Sequence, residues 1–514
     1  MTPHKPLLAR LAAPAVATIA VAALLAGCSG TSAKSSAGDE PVSGGTLNVA
    51  RANPFEGFDL DKETLNASFQ ISQAVLEPLI RPNQDGTGLE PGLAASWKYS
   101  HGNTVLTIEL NPDATFSDGK AVTADDVAFS VKTWQAGPNY GATFAGITST
   151  KVVDKHTIEL HLAAPDTALP AFLSWANAGV VPKDFGGRTA KEFWQSPVGA
   201  GAFTVKSWST NGKVVLERSD HYYRPDEPHV DEIVSTYASD PNAITLQMRS
   251  GQIDLADELL PVTASTLPED ELLKEPEHLT PVLLMNTKDS ALADVSVRRA
   301  IGYAIDYQAI ADSALKGYGV VPTGPLPTNS ENWAPPSKAY FSHNVEEAEN
   351  LLASAKTPPA SLELIYPNDA SSSLMAQVIQ QDLSGIGIDV KLQQADSATA
   401  FGAEQSGDYQ LGLFSYNAIS PDVSDPAWYV AATTTMFTGM PVGAAVKHLT
   451  AYAATADTAK KKAEITAIQD LWTDKAPFIA LAHHSALTGV RTGIHDVNPT
   501  PWGNYYYGSI WKAK

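Results

Sequence analysis

Residues 116–134 read FSDGKAVTADDVAFSVKTW and predict a turn followed at once by an amphipathic helix. Asp118-Gly119 is a typical turn dipeptide. Thr123 can cap the helix, because Asp126 stands three residues later and completes a capping box. The residues that then share one helical face are Val127, Val131 and Trp134. The stretch therefore predicts a helix that packs by a single apolar face.

Strands precede and follow this helix. The segments GGTLNVAR (44–51), NTVLTIEL (103–110) and SLELIYP (361–367) have strand character. Asp294 and Asn344 can each cap a helix whose apolar residues recur at spacings of three and four. Residues 372–396 predict a helix, a glycine break and the strand IDVKL. Such alternation favours an α/β fold in which helices cover a sheet.

The composition is that of a globular protein with a large core. The chain has 514 residues, of which 44% are hydrophobic and 18% are charged, and this length suffices for two or three domains. The formal net charge of −21 argues against a nucleic-acid or anionic-membrane surface, since both need an excess of Lys and Arg. No block repeats at a fixed period, which argues against solenoids and propellers.

The first 27 residues differ from the rest. They carry basic residues but no Asp or Glu, and an apolar run over 11–26 follows, as in an export signal. Cys28 is the only cysteine, so the chain forms no intrachain disulfide. The Ser/Gly/Ala-rich stretch over 28–43 predicts a flexible tether. The segment LAGC, ending at Cys28, resembles the lipobox of bacterial lipoproteins, in which the cysteine becomes acylated. The alternative is a small buried cysteine near a secretory cleavage site.

The sequence contains none of the common catalytic motifs. We find no G-x-S-x-G elbow, no H-E-x-x-H pair, no phosphate-binding P-loop and no G-x-G-x-x-G. Asp125 and Asp126 stand at a predicted helix start, where capping and the helix dipole account for them better than acid–base catalysis. His483 and His484 are adjacent, and on a strand they would point to opposite faces rather than bind one metal ion. We therefore predict no enzyme activity, no cofactor and no metal site.

Two long motifs carry a family resemblance. The first is F-x-D-G-x-x-x-T-A-x-D-V within residues 111–131, and the second is V-R-R-A-I-x-Y-A-I-D within residues 283–310. Shorter matches are GGTLNVA (44–50), LEPLIRPNQDGTGLEPGLAASW (76–97), SPVGAGAFTVKSW (196–208), NVEEAENLLASA (344–355), IQQDLSGIGIDVKL (379–392) and DLWTDKAPFIAL (470–481). Together they resemble the extracytoplasmic solute-binding proteins of the peptide/nickel importer family, family 5, over almost the whole mature length.

The resemblance implies a two-lobed α/β fold, the large, cluster C-like form of the type II periplasmic-binding-protein fold. Lobe one would comprise residues 44–282 and 487–514, with an extra subdomain over about 68–195. Lobe two would comprise residues 286–484. The crossing segments near 281–286 and 478–484 would form the hinge, and both are apolar runs of strand character.

The implied function is capture of a solute between two lobes that close by hinge motion, followed by delivery to ABC permease and ATPase subunits. The protein would be a monomer held by its N-terminal lipid on the outer face of the cytoplasmic membrane, without a nucleic-acid partner. The family takes oligopeptides, dipeptides, nickel complexes, sugars and opines. Nickel is disfavoured because no compact histidine group is visible. A surface-anchored hydrolase, or a sensory or chaperone lipoprotein on the same fold, is the alternative.

The stretch GLFSYNAISPDVSDPAWYV (412–430) resembles the cleft loop in which family members place an aspartate for a peptide's ammonium group. Asp422 is the first candidate and Asp425 the second, and the alternative is that both are turn residues beside Pro421 and Pro426. The further ligand-contact candidates are Phe55, Tyr416, Asn417 and Trp428. In the predicted lobe two, the arginines are Arg298 and Arg299, both inside a predicted helix. Because a carboxylate clamp suits Arg best, their placement favours longer peptides or a ligand without a carboxylate.

Overall fold

A computed structural model describes residues 41–59, 62, 65–83, 88–210, 212–238, 240–418, 420–500 and 505–513. The predicted signal segment, Cys28 and the tether up to residue 40 lie outside the described residues. Residues 41–43 have no regular secondary structure. Among the described residues, no helix combines the length and the apolar character needed to cross a membrane.

Short strands account for most of the scaffold. They are Thr46–Arg51 (β1), Ile80–Pro82 (β2), Leu89–Pro91 (β3), Ala94–Ser100 (β4), Val105–Leu110 (β5), Ile147–Val152 (β6), Thr157–Leu162 (β7), Phe203–Trp208 (β8), Lys213–Arg218 (β9), Glu232–Tyr237 (β10), Leu255–Asp257 (β11), Leu272–Met285 (β12), Gly319–Val320 (β13), Ser361–Pro367 (β14), Asp389–Ala395 (β15), Leu411–Asn417 (β16), Phe478–Ala480 (β17), His483–Val490 (β18), Ile494–His495 (β19) and Trp511–Lys512 (β20). The strands predicted at 44–51, 103–110 and 361–367 are confirmed as β1, β5 and β14.

The helices lie between these strands. They are Asn66–Gln73 (α1), Ala124–Ala136 (α2), Gly141–Phe144 (α3), Leu169–Phe172 (α4), Ala190–Gln195 (α5), Pro241–Arg249 (α6), Pro261–Ala264 (α7), Val295–Ala304 (α8), Tyr307–Ser313 (α9), Val345–Ser354 (α10), Ala370–Gly385 (α11), Ser397–Ser406 (α12), Ser424–Thr433 (α13), Gly443–Ala453 (α14) and Thr458–Lys475 (α15). Single 3₁₀ turns occur at Ala176–Ala178, Glu269–Glu271 and Tyr507–Ser509, and Thr434–Thr438 forms a π-helical turn. The segment Lys183–Gly187 is a turn in which Asp184, Phe185 and Gly186 have left-handed backbone angles.

The predicted helix starts are confirmed by their hydrogen bonds. Thr123 and Asp126 form the capping box of α2, in which the Asp126 carboxylate accepts the Thr123 amide at 2.8 Å. Asp294 caps α8 by accepting the Ser296 amide, and Asn344 caps α10 by accepting the Glu347 amide. Each cap satisfies a backbone donor that the first helical turn leaves without a partner. Local sequence therefore determines where these helices begin.

The described residues form one twelve-stranded sheet, a separate four-stranded sheet and two two-stranded sheets, β2-β3 and β19-β20. The large sheet runs in the order β15-β14-β16-β12-β18-β11-β1-β10-β9-β8, with β13 beside β18 and β17 beside β12. Of its strands, β8, β9, β10, β1 and β11 lie within the residues predicted for lobe one, and β16, β14 and β15 lie within those predicted for lobe two. The strands β12 and β18 run antiparallel between the two lobes. The extra subdomain contains the antiparallel sheet β4-β5-β7-β6, on which α2 packs.

The predicted crossing segments overlap strands of the large sheet, since 281–285 is the end of β12 and 478–484 covers β17 and the start of β18. Their role as a hinge stays a prediction. The residue boundaries of the lobes stay a prediction, because the chain from Pro41 onward holds together as one compact unit. One apolar cluster continues from the subdomain into lobe two. At this junction the Thr167 amide donates to the Ala453 carbonyl at 2.8 Å.

The segment SPVGAGAF passes directly beneath the end of α1. A Cβ atom on Gly199 would lie 1.9 Å from the Val75 carbonyl oxygen, and one on Gly201 would lie 2.4 Å from the Ala74 carbonyl oxygen. The Gly201 amide donates to the same Val75 oxygen at 2.9 Å. Two backbones approach this closely only where side chains are absent, which explains both glycines of the motif.

A buried carboxyl group lies beneath the sheet of lobe two. Glu404 on α12 is 1% exposed, and its Oε1 atom has no hydrogen-bond partner within the described part of the chain. Burial raises the pKa of Glu404 to about 8, because a charged carboxylate is poorly solvated there. A Cβ on the facing Gly412 would lie 2.6 Å from this Oε1.

The beginning and the end of the described chain meet at Asp254, which is fully buried next to β11. Its carboxylate accepts the Asn48 amide at 3.0 Å and a hydrogen bond from Lys512 Nζ, and it forms an ion pair with Arg491. Burial alone would raise the pKa of Asp254, but these hydrogen bonds outweigh it and hold the pKa below its ordinary value. The carboxylate thus joins β1, the residue that follows β18, and β20.

Candidate functional site

A cavity of about 370 Å³ lies between the two lobes. Its wall combines three groups of residues. Lobe one contributes Asn53, Leu65, Ala67, Gln70, Asp257, Glu258, Leu259, Leu260, Pro261 and Tyr505; the crossing strands contribute Leu279, Pro281, His484, Ser485, Ala486, Leu487 and Thr488; lobe two contributes Leu315, Asp369, Ser371, Ser372, Met375, Ser415 and Asn417. The volume falls within the range of natural small-molecule pockets, which is about 300–1,000 Å³.

The polar residues of this wall stand at the carboxyl ends of parallel strands. In lobe one, β1 and β11 run parallel, and Asn53 and Glu258 follow their last residues. In lobe two, β14 and β16 run parallel, Asp369 follows β14, and Asn417 is the last residue of β16. Ligands of open α/β sheets bind at this edge, because the loops there converge on one crevice. Both lobes therefore direct their loops at the same space.

Two consecutive acidic residues form the lobe-one wall. Asp257 is buried and accepts hydrogen bonds from the hydroxyl groups of Tyr505 and Tyr507. Burial raises the pKa of Asp257 to about 7. Glu258 has a backbone φ of 54° and its carboxylate accepts the Asn53 side-chain amide at 3.0 Å. The left-handed conformation is uncommon for a residue with a side chain, and residues strained in this way cluster at binding sites.

Arg51 lies behind these carboxylates without reaching the cavity. It is fully buried and donates to Ser235 Oγ at 2.8 Å, to the Asn53 carbonyl at 3.1 Å and to the Gly212 carbonyl at 3.0 Å. Burial lowers the pKa of Arg51, while the nearby Asp257 and Glu258 oppose the change. The guanidinium therefore offsets part of the acidic charge, but it is not in the cavity wall.

The lobe-two wall is the first turn of α11. Asp369 caps this helix by accepting the Ser372 amide at 2.9 Å. Ser371 is 7% exposed, and its hydroxyl has no hydrogen-bond partner among the residues that the structure describes. Buried hydroxyl groups ordinarily find a partner. The Ser371 hydroxyl is therefore a polar group of the wall that a ligand could satisfy.

The two histidines of β18 face different surroundings, as the alternation along a strand requires. His483 is buried, with Nδ1 at 2.8 Å from Thr280 Oγ1 and Nε2 at 3.2 Å from the Gly324 carbonyl. His484 lines the cavity, and burial lowers its pKa to about 4, so it is neutral near pH 7. In the described ranges, no group of three or more His, Cys, Asp or Glu side chains could hold a metal ion.

The structure brings one predicted contact residue, Asn417, into the cavity wall. Phe55 is fully buried in the lobe-one core, where its ring packs edge-to-face against Phe58 and Trp208. Tyr416 is buried on β16 and donates to the Pro325 carbonyl at 2.5 Å. Trp428 is partly buried and packs against the core of lobe two. None of these three rings belongs to the cavity wall.

Asp422 belongs to a network inside lobe two rather than to the cavity wall. It is 4% exposed, and both carboxylate oxygens accept the Tyr452 hydroxyl at 2.7 Å. The Ser424 amide donates to Asp422 at 2.8 Å, which is the local turn bond that was the alternative interpretation. Asp425 is likewise buried and accepts the Ser420 amide at 3.0 Å. As ligand contacts, both aspartates stay predictions, and the cavity described above does not include them.

The arginines of lobe two lie away from the cavity, on α8 as predicted. Arg298 donates to four backbone carbonyl groups, those of Leu292, Ala293, Lys475 and Ala476. Its guanidinium is therefore committed to backbone groups at the end of α15 and before α8. Within the described chain, no Lys or Arg lines the cavity.

The sequence analysis missed Asp257, Glu258, Asp369 and Ser371. The available signal was positional: each follows or ends an apolar strand, in LADE (255–258) and IYPNDAS (365–371). Polar residues after strands of an α/β protein are candidates for the binding edge. The sequence does not reveal that these two segments, more than a hundred residues apart, face one another.

Residues 88–438 match the family described as "Bacterial extracellular solute-binding proteins, family 5 Middle". The chain is 27% identical over 381 residues to the probable D,D-dipeptide-binding periplasmic protein DdpA of Escherichia coli (strain K12), covering 71% of this chain and 72% of that protein. It is 27% identical over 461 residues to the periplasmic oligopeptide-binding protein OppA of the same organism, covering 81% and 82%.

Solved structures show the same fold. The binding protein AgaA from A. tumefacien R10, in complex with agropinic acid, superposes with a TM-score of 0.79 at 25% identity, covering 91% of this chain and 99% of that one. The ABC transporter substrate-binding protein CtaP from Listeria monocytogenes gives a TM-score of 0.81 at 21% identity, covering 92% and 100%. The predicted two-lobed, type II periplasmic-binding-protein fold is confirmed.

Proposed function

Because the chain belongs to the bacterial extracellular solute-binding proteins of family 5, we propose that it captures a short peptide or similar solute in its interlobe cavity and delivers it to an ABC permease. Its curated relatives are named as periplasmic peptide-binding proteins. The observation that carries the proposal is the cavity at the carboxyl ends of the parallel strands of both lobes. A solute there would touch both lobes at once and would hold them together.

The first test identifies what the protein carries. We expect protein purified under native conditions to release a peptide or a related small solute on denaturation, detected by mass spectrometry. Mass spectrometry of protein that has been unfolded and refolded before analysis provides the control. If the native protein releases no small molecule and peptide libraries do not raise its Tm, the proposal is wrong. Cleavage of those peptides during incubation would instead support the hydrolase alternative.

The second test measures closure. Strands β12 and β18 connect the lobes, and hinge closure around a ligand should shrink the molecule while leaving helix content unchanged. Small-angle scattering with and without saturating co-purified solute should show a smaller radius of gyration in the loaded form. Equal radii in the two states would contradict capture by a closing cleft.

We also propose that a lipid on Cys28, which lies outside the described residues, holds the protein on the outer face of the cytoplasmic membrane. If the segment LAGC is a lipobox, only the Cys28 thiol accepts the lipid. Cys28→Ser should therefore leave the protein unacylated. Cell fractionation should then show the variant in the soluble or secreted pool, or as uncut precursor. A Cys28→Ser protein that loses its signal segment and still sediments with membranes would show that the anchor lies elsewhere.

A further inference from the structure

We propose that Glu258, with Asp257 beside it, binds a cationic nitrogen of the solute, and that capture needs no free carboxylate on the solute. This inference rests on the proposed function, because it names the chemistry of the solute that the same cavity takes. It also differs from the sequence-based prediction, which assigned the ammonium site to Asp422 in lobe two.

The first argument is the charge of the cavity wall. The acidic residues in it are Asp257, Glu258 and Asp369, whereas no Lys or Arg of the described chain lines it. Because burial raises the pKa of Asp257 to about 7, this residue carries only part of a negative charge near pH 7, and the other acidic side chains of the wall are Glu258 and Asp369. The buried Arg51 offsets part of this negative charge from behind the wall, but it does not line the cavity, and its guanidinium donates to Ser235 and to two backbone carbonyl groups. A solute with a cationic nitrogen would gain a favourable partner there, and an anionic solute would meet like charge.

The second argument is independent of charge. The Ser371 hydroxyl is more than nine-tenths buried, belongs to the cavity wall and has no partner among the described residues. A buried polar group without a partner costs free energy that a suitable hydrogen bond would recover. Ser371 stands on α11 of lobe two, whereas Asp257 and Glu258 stand at the end of β11 in lobe one. A solute that satisfies both therefore bridges the lobes.

The third argument is the position of Glu258. Its backbone adopts φ 54°, and its carboxylate is held by the Asn53 amide at 3.0 Å. A left-handed conformation is unfavourable at a residue with a side chain, so the surrounding loops must impose it. Here it places a carboxylate at the meeting point of the loops after β1 and β11. The carboxylate is thereby positioned before the solute arrives.

The experiment uses tetrapeptide libraries without Lys, Arg or His in three forms: unmodified, N-acetylated and C-amidated. Retention on purified protein, measured by mass spectrometry, should be at least about 30-fold lower for the N-acetylated library, since a desolvated charge pair loses about 2–5 kcal/mol when one partner is removed. The C-amidated library should be retained as well as the unmodified one. A fourth library, N-acetylated but with one Lys, shows whether a side-chain ammonium can replace the N-terminal one.

The decisive variant is Glu258→Gln, which keeps an oxygen to accept the Asn53 amide and removes the charge. We expect it to bind unmodified and N-acetylated libraries equally. Glu349→Gln on α10 is the matched control, because it makes the same change at an exposed position and should leave the preference intact. The proposal is overturned if the wild type ignores N-acetylation, or if Glu258→Gln retains the preference. A preference lost only in Asp422→Asn would return the ammonium site to lobe two.

A second variant separates binding from folding. Ser371→Ala removes a hydroxyl that has no hydrogen-bond partner among the described residues, so it should leave Tm unchanged or higher while weakening retention of the unmodified library about 5- to 10-fold. Equal retention by wild type and variant would contradict a role for Ser371.

A failure of the proposed function can be distinguished from a failure of this inference by the binding of the wild type. If the wild type retains no peptide library, the peptide part of the proposed function is wrong, and the charge of the co-purified solute then decides the inference. A cationic solute would support Glu258 as its partner, whereas an anionic one would overturn it.

Discussion

Replacing Gly199 with alanine should lower the free energy of unfolding by about 3 kcal/mol or more, because the new Cβ would meet backbone rather than a movable side chain. The atom it meets is the Val75 carbonyl oxygen, 1.9 Å away. This oxygen already accepts the Gly201 amide, so a shift that accommodates the methyl group breaks that hydrogen bond as well. Urea unfolding followed by circular dichroism would measure the loss, and a variant that does not accumulate would also fit.

The matched control is Gly402→Ala, in the interior of α12. A Cβ there meets nothing within 4 Å, and the position is exposed. Alanine should therefore raise stability by about 0.5–1 kcal/mol through the smaller entropy of the unfolded chain. If both alanine variants had the same stability as the wild type, the close approach beneath α1 would not be present in the folded protein.

The second large effect concerns pH. The pKa of Glu404 is about 8 in the folded protein, above its value of about 4.3 in an unfolded chain. Between these two values the folded state keeps a proton that the unfolded state has lost, so this group's contribution to stability falls as pH rises from about 4.3 to about 8. The total loss is roughly 4–5 kcal/mol at about 1.4 kcal/mol per pKa unit.

Glu404→Gln should not show this loss. Its stability relative to the wild type should therefore increase from pH 4.5 to pH 8 and stay constant above pH 8. Chemical unfolding of both proteins at each pH gives the difference between their free energies of unfolding. The contributions of the other titrating groups cancel in this difference. Glu349→Gln provides the exposed comparison and should follow the wild type throughout. Parallel profiles for Glu404→Gln and the wild type would mean that Glu404 is charged and solvated in the folded state.

Local features of the fold were predictable because their causes are local. The capping box of Thr123 and Asp126, the caps at Asp294 and Asn344, and the strand after the glycine break at 387 each depend on residues within one or two turns. The lobes themselves were predicted from the family resemblance. The pairing order of twelve strands could not be read from periodicity, since β1 lies between β10 and β11, which follow it by some two hundred residues.

The site was predicted less well, for a physical reason. Asp422 and Asp425 stand in a polar loop beside prolines, and the same residue types serve a turn or a ligand. In the structure their oxygens accept hydrogen bonds from Tyr452 and Ser420 within lobe two. Which interpretation holds depends on partners distant in sequence, and these cannot be identified from one chain. Asp257 was passed over because an acidic residue at the end of a short strand has no distinctive local pattern.

The Asp254 junction has a consequence for the order of events during synthesis. Its partners lie 206 residues before it at Asn48 and 237 and 258 residues after it at Arg491 and Lys512. The first half of the chain therefore cannot complete lobe one by itself, since a buried carboxylate would lack both its cations until the last few residues appear. Leaving a buried charge without partners is strongly unfavourable. We infer that lobe one reaches its native packing only after Arg491 and Lys512 have been made, so that nascent chains ending before Arg491 should remain sensitive to protease in lobe one, whereas chains that include Lys512 become resistant.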